Sequence, residues 1–177
     1  MQELLIFVAL EDEFPRALTG HEVIYTGVGK VNAALAAAQA LIARRPALVV
    51  NYGTAGAVRP GVSGLIECGA AAQRDMDLRP LGLPLGVTFG DTAPALLRWA
   101  EGPVVGTGDS FASAAPEIAC DLVDMEAYAL AKAAARFETS FRCMKYVTDA
   151  ADESAASDWA FNKAKGAELF AAWLARL

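Results

Sequence analysis

A chain of 177 residues with a formal charge of −6, 55% hydrophobic and 20% charged residues, is long enough to bury a core without disulfide or metal staples. The acidic balance, with no basic stripe to release counterions from phosphates, argues against nucleic acid as a partner, and no apolar run is long enough to span a bilayer. Three cysteines at unrelated spacings (Cys68, Cys120, Cys143) and a single histidine, His21, predict neither a disulfide framework nor a zinc site. The expectation is a cytoplasmic protein with no metal or other cofactor, lacking the basic and small-residue marks of a signal peptide.

Leu4–Leu10 is a continuous apolar run, the pattern of a strand buried on both faces. It breaks into Glu11-Asp12-Glu13, acids that a helix N-terminus favours through its dipole. His21–Thr26 reads as a second strand closing on Gly27-Val28-Gly29-Lys30, and the helix formers from about Val31 to Arg45 stop at Pro46. The glycine-flanked turn can present backbone N–H groups to an anion or a ribose. It lacks the spacing of a Rossmann fingerprint or a P-loop, so a tight turn is the better account of it. Ala47–Asn51 is another buried strand, followed by Tyr52-Gly53-Thr54-Ala55-Gly56, where backbone approaches something closely.

Further on, Gly64–Gln73 is predicted as one longer strand, Leu78–Gly86 as a loop, Val87–Gly90 as a short strand and Pro94–Ala100 as a short helix. Pro103–Thr107 is a strand leading into Gly108-Asp109-Ser110-Phe111. In Asp121–Ala134 an acidic-apolar lead-in ends at Asp124, and Met125-Glu126 open an alanine-rich helix. Asp124 as a cap and Glu126 as a dipole complement explain this stretch; so does a ligand site at the carboxyl end of a strand. Phe141–Thr148 is a strand ending in Asp149, and a last helix capped by Ser157 or Asp158 runs to about Arg176. Strands alternate with helices without repeats or linkers, which predicts one three-layer α/β domain over residues 1–177. Four strand ends carry polar or glycine-rich clusters, and in such a domain Glu11–Glu13, Gly53–Gly56, Met125-Glu126 and Thr148-Asp149 can converge on one cleft.

Six stretches carry a resemblance: Ala9–Glu13, Thr26–Ala34, Asn51–Gly56, Gly108–Phe111, Val123–Glu126 and Val147–Asp152. In this order they resemble the nucleoside phosphorylase/nucleosidase family, and its 5′-methylthioadenosine/S-adenosylhomocysteine nucleosidase branch in particular. The resemblance implies a mixed, partly barrel-like sheet flanked by helices, commonly a homodimer, that binds a small purine nucleoside. It implies that Glu13 orients and deprotonates the attacking water, and that Asp149 is the general acid at purine N7. Glu126 then accepts from the ribose hydroxyls with Met125 packed beneath the sugar, while Phe111 stacks on the purine. Thr54, Gly56 and Thr148 belong to the same substrate-binding set, with threonine at Thr54 where relatives usually carry serine.

These residue types suit N-glycosidic cleavage, whose oxocarbenium-like sugar asks for two carboxyl groups with different jobs. The acid needs a setting that lets it keep a proton near neutral pH, which Asp152 and Glu153 offer by sequence proximity. The chain also departs from the family: it is short before Thr26 and again over Asp77–Gly106, a segment that in relatives helps cover the 5′ substituent. A shorter lid opens the 5′ end to a bulkier group, such as that of futalosine. A phosphate-dependent phosphorylase is the competing reading, since Arg16, Arg59 and Arg74 are present, but the Glu-Asp-Glu cluster would repel phosphate nearby. An inert nucleoside-binding protein is a third, against which stand the three carboxylates Glu13, Glu126 and Asp149. Lys30 is read as a turn or ion-pair residue, and Trp99, Trp159 and Trp173 as core or interface fillers.

Overall fold

The computed structural model describes residues 3–91 and 95–177. Among these residues run nine strands and four α-helices: β1 (Leu4–Val8), β2 (Glu22–Tyr25), α1 (Lys30–Arg44), β3 (Leu48–Ala57), β4 (Leu65–Cys68), β5 (Ala70–Gln73), β6 (Leu96–Arg98), β7 (Val104–Thr107), β8 (Leu122–Asp124), α2 (Ala127–Arg136), β9 (Ser140–Asp149), α3 (Ala155–Asn162) and α4 (Ala167–Leu174).

β1 explains the layering. Leu5, Ile6, Phe7 and Val8 are all fully buried, because alternate side chains face two separate cores. Ile6 and Val8 pack with Phe14, Tyr52 and the α4 residues Phe170 and Leu174. Leu5 and Phe7 pack against Ala33, Ala37 and Leu41 of α1 and Leu130 of α2. The four-residue spacing in α1 puts those three side chains on one helix face, and each leucine buried this way contributes roughly 2 kcal/mol. The helix ends where Arg45 turns left-handed at φ 47°, since Pro46 disfavours helical backbone in the residue before it.

The sheet order is β2-β1-β3-β8-β7-β5-β6, with β9 between β3 and β4. Ten-residue β3 runs parallel to β9 along one edge; its other edge serves β1 from Leu48 to Asn51 and antiparallel β8 at Gly56 and Ala57. β4 pairs with β9, β5 with β7, and β7 with β8. The pairings therefore close into a ring, β3-β9-β4/β5-β7-β8-β3, which is the partly barrel-like sheet expected. The corner is Gly69, where a Cβ would lie 2.5 Å from the Ala100 carbonyl oxygen.

That corner corrects the single strand expected over Gly64–Gln73: it is two strands, β4 and β5, bent so that each finds its own partner. The strand expected to end at Asn51 runs on through the glycine-rich stretch, which is the second half of β3. The acids Glu11–Glu13 start no helix; they form a tight turn closed by Glu13 N donating to Leu10 O at 3.1 Å. Val87–Gly90, bracketed by turn glycines at Gly86 and Gly90 with positive φ, forms no strand. The short helix expected over Pro94–Ala100 begins outside the described residues, and the part within them is the edge strand β6, paired antiparallel with β5; pairing overrides local preference. The final helix is two helices, α3 and α4, and Gly166 at the start of the second passes so close to Tyr146 and Tyr52 that a Cβ would come within 2.5 Å of both. Exposed His21 directly precedes edge strand β2.

Candidate active site

The carboxyl ends of β3, β8 and β9 and the turn after β1 surround a cleft of about 660 Å³, open mouth included, a volume suited to a small molecule. Glu13, Thr54, Gly56, Phe111, Met125, Glu126, Thr148 and Asp149 all line it. Among the described residues, no group of three His, Cys, Asp or Glu side chains is arranged to hold a metal ion.

Glu13 is buried to 3% exposure and points inward from its turn. Its Oε2 accepts from Leu10 N at 3.1 Å, and its Oε1 from Thr54 N at 3.2 Å and Thr54 Oγ1 at 2.7 Å. Thr54 Oγ1 in turn accepts from Trp159 Nε1 at 2.9 Å. The indole fixes the direction of the hydroxyl, whose one proton then goes to Glu13. Trp159 is thus no core filler but a cleft residue, set 5.9 Å from Phe111 in an edge-on pair. Its sequence position, in a terminal helix over 100 residues from Thr54, carried no signal of this. Trp159→Phe, which keeps the ring and removes the donor, is expected to lower turnover roughly fivefold, the worth of about one hydrogen bond. Steady-state kinetics would measure it, and an unchanged kcat would remove Trp159 from the relay.

Glu126 sits at the start of α2, 8% exposed. Its Oε1 accepts from Gly29 N at 2.8 Å, so the backbone N–H offered by the Gly27–Lys30 turn is received by a carboxylate of this chain. Asp124 does cap the helix: Oδ2 accepts from Glu126 N at 3.1 Å and Ala127 N at 2.8 Å, while Thr107 Oγ1 donates to Oδ1. Capping and cleft both hold here, Asp124 serving the first and Glu126 the second. Burial, and then the nearby Asp124 charge, push the Glu126 carboxyl up to about 7. Under this turn lies Lys145 of β9, its Nζ 2.8 Å from Asp124 Oδ2 with both side chains fully buried. Burial works against its charge, but Asp124 and other acidic neighbours hold the ammonium above the ordinary lysine range.

Asp149 ends β9 just past a register shift, in which Ala55 pairs with Val147 and Gly56 with Asp149. The extra residue is Thr148, and such a bulge re-aims the side chains around it. Asp149 Oδ2 accepts from Thr148 Oγ1 at 2.8 Å and Oδ1 from Ala151 N at 3.0 Å. Gly56 is glycine for Asp149: a Cβ there would meet Asp149 Oδ1 at 2.5 Å. The acidic company that the sequence offered Asp149 is engaged elsewhere, since exposed Asp152 accepts from both the N–H and the hydroxyl of Ser154.

Of the three arginines, Arg16 lies over the Tyr25 ring and Arg59 pairs with Asp121 at 3.1 Å. Arg74 lines the cleft with its guanidinium turned to the carbonyls of Gly108 and Ser110. Lys30 is held by Asp75 and Asp109, an ion-pair residue as expected. Trp99 packs edge-on against Phe141, and Cys68 and Cys143 are buried free thiols.

The model of the phosphorylase superfamily matches residues 17–95 and 93–177. The 5′-methylthioadenosine/S-adenosylhomocysteine nucleosidase of Staphylococcus saprophyticus is 29% identical over 162 residues, which span 76% of this chain and 71% of that protein. The enzyme of that name from Geobacillus thermodenitrificans is also 29% identical, over 74% of this chain and 67% of its own. Among solved structures, a futalosine hydrolase mutant of Helicobacter pylori superposes with a TM-score of 0.89 at 20% identity, covering 98% of this chain and 97% of that one. A Helicobacter pylori nucleosidase mutant with 5′-methylthioadenosine in its active site gives the same TM-score at 19% identity, over 99% and 97%. At such identities the superpositions show a shared fold.

Proposed function

The chain belongs to the phosphorylase superfamily, and on that premise we propose that it is a nucleosidase. It hydrolyses the N-glycosidic bond of an adenosine-type nucleoside, of the 5′-methylthioadenosine or S-adenosylhomocysteine class, to free base and sugar. The observation that carries this reading is the convergence of Glu13, Glu126 and Asp149 on one cleft. The names of the sequence relatives support the substrate class.

In this mechanism the nucleoside lies with its purine against Phe111 and its ribose over Met125, the sugar hydroxyls donating to Glu126. As the bond between C1′ and the purine nitrogen stretches, positive charge builds on the sugar, and the buried Glu126 carboxylate favours it. Asp149 gives a proton to purine N7, so the base leaves neutral. Water held by Glu13 attacks C1′ and passes its proton to that carboxylate, whose geometry is fixed by Thr54 and Leu10. Acid and base assistance typically contribute about 100- to 10,000-fold each.

Water is favoured over phosphate as nucleophile because the arginines are engaged and phosphate would meet the charge of Glu13. We place the protein in the cytoplasm, where its three free thiols stay reduced. We also read it as a homodimer; the exposed apolar side chains Val31, Leu35 and Ile42 on one face of α1 support that.

The test is base release from 5′-methylthioadenosine, S-adenosylhomocysteine, futalosine and inosine, with and without added phosphate. Free adenine without phosphate is the expected result. Strict dependence on phosphate would overturn the role of Glu13.

A further inference from the structure

Lys145 stands out among groups that the mechanism above leaves unused. β9 sends its side chain into the space below β8, where it is fully buried. Gly53 of β3 leaves that space free, since a Cβ there would come within 3.2 Å of Nζ. The 2.8 Å contact with Asp124 is an ion pair off the ideal hydrogen-bond angle, and no other acceptor among the described residues completes the ammonium. Burying a lysine so completely costs several kcal/mol that an apolar residue would not. Asp124, its ion-pair partner among the described residues, also fixes the N–H groups of Glu126 and Ala127. Lys145 is therefore one link from the backbone that carries Glu126.

We infer that Lys145 is a positioning residue: locked onto Asp124, it lays a fixed positive charge under the cleft that keeps Glu126 ionised and turned towards the sugar. The sugar in that statement rests on the nucleosidase reading. The charge relation between Lys145 and Glu126 does not. Four groups of known sign act on Glu126. Asp124 of β8 and Glu13 of the turn after β1 raise its proton affinity; Lys145 of β9 and the N–H of Gly29 before α1 lower it. Lys145 itself is faced by Asp124, the Cys143 thiol of its own strand, and Glu126. Without its charge, two acids would act on Glu126 with only a backbone N–H to oppose them, and Glu126 would hold its proton through neutral pH. A protonated carboxyl neither accepts as strongly from ribose hydroxyls nor stabilises a cationic sugar.

Carbon-13 NMR titration of glutamate-labelled protein reads Glu126 directly and without turnover, with Glu126→Gln supplying the assignment. Lys145→Gln leaves an amide that can donate to Asp124 and removes the charge; it is expected to raise the Glu126 titration by about one unit, a tenfold change in proton affinity. Lys145→Arg keeps the charge and should leave it near the wild-type position. A second comparison, Asp124→Asn against Asp124→Asn with Lys145→Gln, asks the same question without the buried acid, and the doubly neutral protein leaves no uncompensated charge. There too, loss of the lysine charge should move Glu126 upward. In kinetics, the acid limb of kcat/KM should shift upward by the same amount in Lys145→Gln, so that activity lost at pH 6.5 returns by pH 9. A purely structural role would lower activity alike at every pH. Identical Glu126 titrations with and without the lysine charge, in both comparisons, would overturn the inference. A wild-type protein that released no base from any nucleoside, yet showed the shift, would sink the nucleosidase reading and leave the role of Lys145 standing.

Discussion

Asp149→Asn is expected to slow base release by about 100- to 10,000-fold while the protein still binds nucleoside, so that kcat falls and the dissociation constant changes little. The side-chain amide can still accept from the Ala151 N–H that now meets Asp149 Oδ1, and it can still donate towards a purine nitrogen. It has no proton to give up. Comparing kcat with a calorimetric dissociation constant on the same preparation separates the two effects. Equal loss of both would make Asp149 a binding residue, and undiminished kcat would take it out of the chemistry.

Glu126→Gln should show the opposite signs for activity and stability. Burial and Asp124 raise the Glu126 carboxyl from its ordinary value of 4.5 to about 7. Between those two pH values the folded protein keeps a proton that the unfolded chain has released, so the contribution of this group to stability falls as pH rises through the window. Above pH 7 the full cost is present, about 3 kcal/mol on the scale of the shift. The glutamine variant carries no such charge and can still accept from Gly29 N–H. It is therefore expected to unfold several degrees higher than wild type at pH 8, with the gap largely closed at pH 5, and to lose most of its turnover. Thermal melts at the two pH values decide this. A variant less stable than wild type at pH 8 would mean that the carboxylate is better solvated than its surroundings suggest. The pairing of lost activity with gained stability is common where a site holds a group in an environment that disfavours its charge.

Much of this was legible in the sequence because the signals were local. Continuous burial of Leu5–Val8 shows as an unbroken apolar run, and the stop of α1 shows in Pro46. Carboxylates at strand ends pointed to the cleft, although Glu11 and Asp12 face solvent and Glu13 is the acid of that cluster that turns inward. What stayed hidden depends on partners far along the chain. Nothing near Gly69 announces that β4 and β5 pair with different strands, and nothing near Trp159 announces that its N–H meets Thr54. Leu96–Arg98 has no strand signal of its own and is extended because β5 offers an edge. Lys145 reads as one polar residue in a strand, and only the third dimension reveals Asp124 beneath Glu126. Asp152 misleads in the other direction, being near Asp149 in sequence and committed to Ser154 in space.

The closed ring of strands has a consequence for the order in which the molecule can be made. β3 and β4 emerge early in synthesis, yet the strand that joins them, β9, spans Ser140–Asp149. Until it arrives, β4 lacks its partner and the long edge of β3 lies open, a template for wrong pairing. Contacts of such sequence separation form slowly, because loop closure must precede any gain from them. The strand that ends this exposure also delivers Lys145, Thr148 and Asp149, so the barrel closes and the cleft acquires this wall in one late event. A chain stalled short of Ser140 would carry Glu13 and Glu126 already, with neither Asp149 nor the buried cation to complete the cleft.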